Sequence, residues 1–258
     1  REEVVIRFSG DSGDGMQLTG TLFANMSAVY GNGLSTFPDY PAEIRAPKGT
    51  VAGVSGFQVH VGSQKVNTPG DYCDMLVAMN PAALKANAKW LKRTAMVLVN
   101  EDAFDDAGLL KAGFTGNPFE ELRIEDRNII VAPITKLTEE SLKDSGLDLP
   151  SIHKCKNMFT LGMACFIYNR PLDYIYDYLE GRFRKNRPEM IEPNRKVLND
   201  GFNYAANIQA IANTYTIEPD LQERGIFRNI TGNQAVAWGF IAASEKSGLP
   251  LFCGSYPI

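Results

Sequence analysis

The chain has 258 residues, 44% of them hydrophobic and 22% charged, a globular composition that excludes a disordered tail, a collagen-like repeat or a coiled coil. At about 150 residues per domain this is one large domain or two modest ones. Lys and Arg number 26 against 30 Asp and Glu, a formal net charge of −4, so no global field draws the chain to nucleic acid or to anionic membrane. Apolar runs such as Ala95 to Val99 fall far short of the ~20 residues that span a bilayer. The short apolar start, flanked by Glu2 and Glu3, does not read as a signal peptide, and a cytoplasmic protein is expected.

Val4 to Phe8 is a β-branched and aromatic run leading to Gly10, the pattern of a buried strand feeding a turn. Beyond the loop Gly10 to Gly15, Leu18, Leu22, Met26 and Val29 recur at helical spacing, and Gly31-Asn32-Gly33 supplies a stop. Leu34 to Phe37 begins a second strand, whose ladder Pro38 and Pro41 are expected to interrupt because proline lacks the amide donor. Val51 to Val61 alternates, with Phe57, Val59 and Val61 on one face and Gln58 and His60 on the other, as in a half-buried strand. Met75 to Met79 reads as a strand feeding a helix over Pro81 to Lys92, and Ala95 to Val99 and Asn128 to Ala132 as two more strands. Alternating strands and helices imply an α/β fold, a mainly parallel sheet flanked by helices.

From Asn157 the chain turns helical. Met158, Leu161, Cys165 and Tyr168 form one stripe, Leu172, Ile175, Tyr176 and Leu179 another, and a third helix is expected over Asn194 to Tyr215 beyond Pro188 to Pro193. Glu218-Pro219-Asp220 reads as a linker. Thr231-Gly-Asn-Gln234 is a capping-box pattern opening a further helix that Gly248 ends, and Leu249 to Cys253 reads as a short strand. One helix and one strand cannot bury a core of their own, so this segment is expected to begin a second domain.

Gly10, Gly13 and Gly15 lie between a strand and a helix, where small residues let backbone amides approach an anion and the helix dipole favours negative charge. The spacing is G-x-x-G-x-G rather than the dinucleotide pattern, and no G-K-[ST] follows, so NAD is weakly supported and ATP hydrolysis disfavoured. The plainer alternative is a tight turn with Ser12 or Asp14 capping the helix. Pro38, Pro41 and Pro47 stiffen a loop presenting Tyr40, Glu43, Arg45 and Lys48. There Arg45 offers a forked contact to carboxylate or phosphate, unless the loop is a solvated surface. Arg182, Arg184, Lys185 and Arg187 suit an acidic partner or simply oppose a helix dipole. His60 and His153 show no pairing with an acid or nucleophile. Cys73, Cys155, Cys165 and Cys253 have no C-x-x-C spacing, and four reduced, mostly buried thiols are expected, with no metal site.

Phe8 to Gly15 with its helix, Pro41-Ala-Glu-Ile-Arg45 and Gly53 to Val61 resemble the gamma domain of 2-oxoacid:ferredoxin oxidoreductases. Thr231 to Gly239 and Gly254-Ser-Tyr-Pro-Ile258 resemble the start of their alpha, thiamine-pyrimidine domain. Gamma before alpha is the order of the 2-oxoglutarate:ferredoxin oxidoreductase alpha subunit. The resemblance implies a Rossmann-like gamma domain over 1–190, a helix and linker over 191–225, and the beginning of a thiamine-diphosphate-binding α/β domain over 226–258. It implies an enzyme subunit for oxidative decarboxylation of a 2-oxoacid with coenzyme A, giving acyl-CoA, carbon dioxide and reduced ferredoxin.

On the same resemblance, Gly10, Ser12, Gly13, Asp14, Gly15 and Arg45 bind coenzyme A, with Asp14 assigned to capping or to a hydroxyl. Tyr256, Pro257 and Ile258 enter the thiamine diphosphate loop, and the family's threonine, activating glutamate and substrate arginine fall past Ile258. No catalytic or metal-binding residue is therefore expected within 1–258. A separate beta subunit is expected to hold the [4Fe–4S] cluster and the diphosphate with its magnesium, making the enzyme a hetero-oligomer of alpha–beta pairs that serves ferredoxin. Two alternatives stand beside this reading: a non-catalytic assembly module, and specificity for pyruvate or branched-chain 2-oxoacids.

Overall fold

A computed structural model describes residues 1–40, 53–124, 129–208, 211, 213–220 and 225–254. Six strands form one sheet: β1 (Glu3–Asp11), β2 (Gly33–Asp39), β3 (Val54–Gly62), β4 (Cys73–Ala78), β5 (Leu91–Asn100) and β6 (Ile129–Ala132), in the order β2-β3-β1-β4-β5-β6. β1, β4, β5 and β6 pair in parallel, whereas β3 runs antiparallel to both β1 and β2. β3 alone is reversed, so the sheet is mainly parallel.

Alternation along the strands sends successive side chains to opposite faces. Val4, Ile6, Phe8, Phe57, Val59 and Val61 join one core with α1 (Met16–Val29), α7 (Lys156–Ile167) and α9 (Ile191–Asn207). Val5, Leu76, Ala78, Val97 and Val99 meet Ala83 and Leu84 of α2 (Pro81–Asn87) on the other face. α3 (Asp106–Lys111) and α4 (Pro118–Glu121) lie between β5 and β6 in the chain, and α5 (Ile134–Leu142), α6 (Leu149–His153) and α8 (Asp173–Phe183) follow β6.

Several local expectations change. Pro38 lies inside β2, opposite Phe57, because β2 pairs with β3 alone and an edge strand tolerates a missing donor. β3 is buried on both faces from Ser55 onward. Gln58 Nε2 donates to the carbonyls of Pro69 (2.8 Å) and Gly70 (2.5 Å), and His60 Nδ1–H donates to that of Thr68 (2.7 Å), so segment 68–70 covers the polar face. The helix expected to Lys92 ends at Asn87, and after a 3-10 turn Leu91 already pairs with Cys73. Residues 249–254 form no strand, since no partner strand lies beside them among the described residues.

The stripe expected on α7 is a helix buried nearly all round, from Asn157 to Cys165 and at Ile167. α9 starts at Ile191 and ends at Asn207, where Ile208 turns extended, and the returning chain donates from Tyr215 N to Ile167 O at 2.7 Å. α9 packs on α7 and lies within the first of two compact units, Arg1–Gln222. In the second, Glu223–Ile258, α10 (Gly232–Ser247) carries the expected box: Thr231 Oγ1 accepts from Gln234 N (3.2 Å) and Gln234 Oε1 accepts from Thr231 N (2.9 Å). Gly248 closes it with φ +70°. No described helix is long and apolar enough to cross a membrane.

Candidate functional site

The loop from β1 to α1 is a turn in which Asp14 N donates to Asp11 O (3.0 Å) and Asp11 N to Asp14 Oδ2 (2.8 Å). Asp14 therefore ties the loop to itself and does not cap α1. The cap is Gly15, at φ +72° and without a side-chain bond, a left-handed conformation that glycine adopts without a Cβ penalty. Ser12, the other expected cap, is exposed.

The three glycines serve different ends. A Cβ on Gly10 would lie 2.6 Å from Asp14 Oδ2 and 3.0 Å from Met79 Cβ, and one on Gly15 would lie 2.8 Å from Asn157 Nδ2. Gly13 is exposed and meets nothing within 4 Å. Only Asp11, Ser12 and Gly13 thus present an open face, and among the described residues the amides of Ser12 and Gly13 have no hydrogen-bond partner.

Side chains from distant elements complete the surroundings. Lys156, which opens α7, places Nζ 2.6 Å from Asp14 Oδ1. Thr19 Oγ1 donates to Asn157 O at 3.5 Å, so the uncapped first turns of α1 and α7 meet at the loop. Gln17 Nε2 donates to Asp39 O (3.2 Å), Ser55 Oγ (3.0 Å) and Gly56 O (2.7 Å), which fixes the orientation of its amide. Its Oε1 is buried without a donor among the described residues, as is Asn157 Oδ1. Sequence reading missed Gln17, Lys156 and Asn157; the one available signal was a polar pair opening an otherwise apolar helix.

On the opposite face of β1, the buried Arg7 guanidinium donates to Asn87 Oδ1, to Gln58 Oε1 at 3.1 Å and to Asp39 Oδ2. This network anchors the end of β2. Arg45, Tyr256, Pro257 and Ile258, all expected at binding sites, lie outside the described residues.

Arg182, Arg184, Lys185 and Arg187 are exposed at and beyond the end of α8, with Arg187 Nε 3.4 Å from Glu189 Oε1. The two histidines do have acidic partners, contrary to expectation: His60 Nε2 lies 3.1 Å from Glu3 Oε2 and His153 Nε2 lies 2.6 Å from Glu139 Oε1. Burial pushes the thiols of Cys73 and Cys155 up to about 12 and about 11, and that of Cys165 upward as well, while Cys253 is exposed. No cluster of three or more metal-ligating side chains occurs among the described residues. Grooves of about 880 Å³ beside Tyr176, Arg195 and Lys196 and about 840 Å³ beside Phe104, Phe114 and Phe119 are lined without the glycine loop.

Residues 5–204 match the family model for pyruvate ferredoxin/flavodoxin oxidoreductase. The 2-oxoglutarate oxidoreductase subunit KorA of Mycobacterium tuberculosis is 44% identical over 257 residues, covering 100% of this chain and 39% of that protein. The chain thus spans about two-fifths of the curated relative. The fold is similar to 2-oxoglutarate:ferredoxin oxidoreductase from Magnetococcus marinus, solved with 2-oxoglutarate, coenzyme A and succinyl-CoA (TM-score 0.68, 20% identity, 98% of this chain and 43% of that one). It is also similar to the keto/oxoacid ferredoxin oxidoreductase gamma subunit from Geobacter sulfurreducens (TM-score 0.53, 22% identity, 80% and 99%). By the family model and by its whole-length identity to a curated relative, the chain belongs to the pyruvate ferredoxin/flavodoxin oxidoreductase family.

Proposed function

We propose that this chain contributes coenzyme A binding and subunit assembly to a 2-oxoacid:ferredoxin oxidoreductase of the 2-oxoglutarate type. In the proposed reaction a 2-oxoacid loses carbon dioxide, its acyl group passes to the coenzyme A thiol, and the electrons pass to oxidised ferredoxin. Residues 1–190 are read as the gamma domain, 191–225 as helix and linker, with α9 packed into the gamma unit, and 226–258 as the start of the thiamine-pyrimidine domain. The site lies in a cytoplasmic hetero-oligomer.

The observation that carries the reading is the open segment Asp11 to Gly13. Its Ser12 and Gly13 amides have no partner among the described residues and stand at the amino end of α1, the backbone arrangement that favours a phosphate. Coenzyme A fits in kind, because its phosphates suit the free amides and its pantetheine hydroxyl and amides suit the donorless acceptors Gln17 Oε1 and Asn157 Oδ1. The exposed Asp11 carboxylate opposes the phosphate and limits affinity.

When bound, coenzyme A supplies the thiol that accepts the acyl group; this chain orients its charged end. Thiamine diphosphate with magnesium and the [4Fe–4S] cluster are assigned to the interface with, and the body of, a beta subunit.

Calorimetry of the intact two-subunit complex with coenzyme A tests the cradle. Gly13→Val adds bulk where nothing lies within 4 Å and is expected to weaken coenzyme A by about 10-fold or more while leaving the complex assembled; unchanged affinity removes the cradle. Turnover of a panel of 2-oxoacids with a low-potential acceptor tests the substrate, and a preference for pyruvate or a branched-chain acid overturns that part.

A further inference from the structure

We propose that Lys156 is a phosphate-binding residue of this site, held in reserve by Asp14 until the anion arrives. The proposal rests on the coenzyme A reading above and adds a residue that neither the glycine motif nor the resemblance points to. Lys156 Nζ is 2.6 Å from Asp14 Oδ1, with the two side chains 21% and 11% exposed, so the ammonium sits at the rim of the loop. It is partnered there by the one carboxylate that also binds the loop's own Asp11 amide. An arriving phosphate finds the amides of Ser12 and Gly13, unpartnered among the described residues, and the positive ends of two helices, α1 and α7.

A second observation points to a ligand at the same place. Asn157, next to Lys156, is 5% exposed, turns its amide to Gly15, and keeps Oδ1 without a donor. Gln17 Oε1 in the first turn of α1 is likewise donorless, with its amide orientation fixed by three acceptors. Buried acceptors left unmet are costly, and a group donating O–H or N–H beside a phosphate relieves both. The ligand class is therefore a phosphate ester carrying hydroxyl or amide donors close to the phosphate.

On binding, no covalent bond changes. The Lys156 ammonium shifts from its pairing with Asp14 to bridge the carboxylate and the phosphate, and the Asp14–Asp11 turn stays intact. Lysine serves such a role as a point charge on a flexible stem.

The test is calorimetry of the intact complex with coenzyme A and, as the phosphate-free probe, pantetheine. Lys156→Gln is expected to weaken coenzyme A on the order of 10-fold and leave pantetheine unchanged, and Lys156→Arg to stay within about 3-fold of the parent. Asp14→Asn keeps an oxygen for the Asp11 amide but frees the ammonium, and is expected to tighten coenzyme A about 3-fold. It also serves where Lys156→Gln fails to assemble, and weaker binding in this variant overturns the proposal.

Parental affinity in Lys156→Gln, with Gly13→Val still impaired, overturns the role of Lys156 and leaves the cradle standing. Parental affinity in both variants removes the cradle and Lys156 together. An equal loss for pantetheine and coenzyme A marks Lys156 as structural and also overturns the proposal.

Discussion

Gly10 and Asp14 occupy the same space: a Cβ on Gly10 would stand 2.6 Å from the carboxylate oxygen that accepts the Asp11 amide. The missing side chain is what lets the acid fold back under the loop. Gly10→Ala is expected to expel the carboxylate, cost about 1–3 kcal/mol, and loosen the pair with Lys156. Gly13→Ala, with open space around it, is expected to stay within about 0.5 kcal/mol. Chemical denaturation of the two variants side by side checks the contrast, and equal losses contradict it.

Gly162 and Gly201 set the approach of α7 and α9. A Cβ on Gly162 would lie 2.1 Å from Leu198 O, and one on Gly201 would lie 2.1 Å from Phe159 O. The obstacles are backbone atoms, so the helices must separate. Either alanine substitution is expected to cost about 3 kcal/mol. The thermal midpoint of each variant reports it, and a midpoint at the parental value shows that the helices adjust freely.

Arg7 is a buried cation shared among three acceptors, and their losses should rank by burial. Asn87 is 2% exposed and also donates to Ser9 Oγ (2.9 Å) and Ala83 O (2.7 Å). Asn87→Ala strands the guanidinium Nε–H and is expected to cost about 2–3 kcal/mol. The Asp39 side chain is 46% exposed, and Asp39→Asn is expected to cost under about 1 kcal/mol because water screens the pair. Equilibrium unfolding in urea measures both, and the reverse ranking contradicts the burial argument.

Burial raises the Cys73 thiol from its ordinary 9.0 to about 12, favouring the neutral form in the folded state. The sign follows: this stabilisation is complete below pH 9 and is lost as pH rises from 9 towards 12, because the unfolded chain releases the proton first. Cys73→Ala is expected to flatten the alkaline fall of the thermal midpoint. Parallel pH profiles for parent and variant between pH 8 and 11 contradict this. At pH 8, alkylation of Cys73, Cys155 and Cys165, followed by peptide mapping, is expected to be slow without denaturant.

How much was legible beforehand divides along one line. Strand, glycine loop and helix over 4–29, the buried run at 75–79, and the capping box at Thr231 and Gln234 were all readable. Each rests on periodicity or on contacts a few residues apart. Tertiary structure alone settled the rest. Pro38 stays in a strand because β2 is an edge, and Gln58 and His60 are buried because segment 68–70 covers them. Asp14 serves the loop rather than the helix, and Lys156 and Asn157 reach the glycine turn because α7 packs against α1. Local pattern records which face a residue seeks, whereas the partner it meets there depends on chain folded back from far along the sequence, which no short-range spacing encodes.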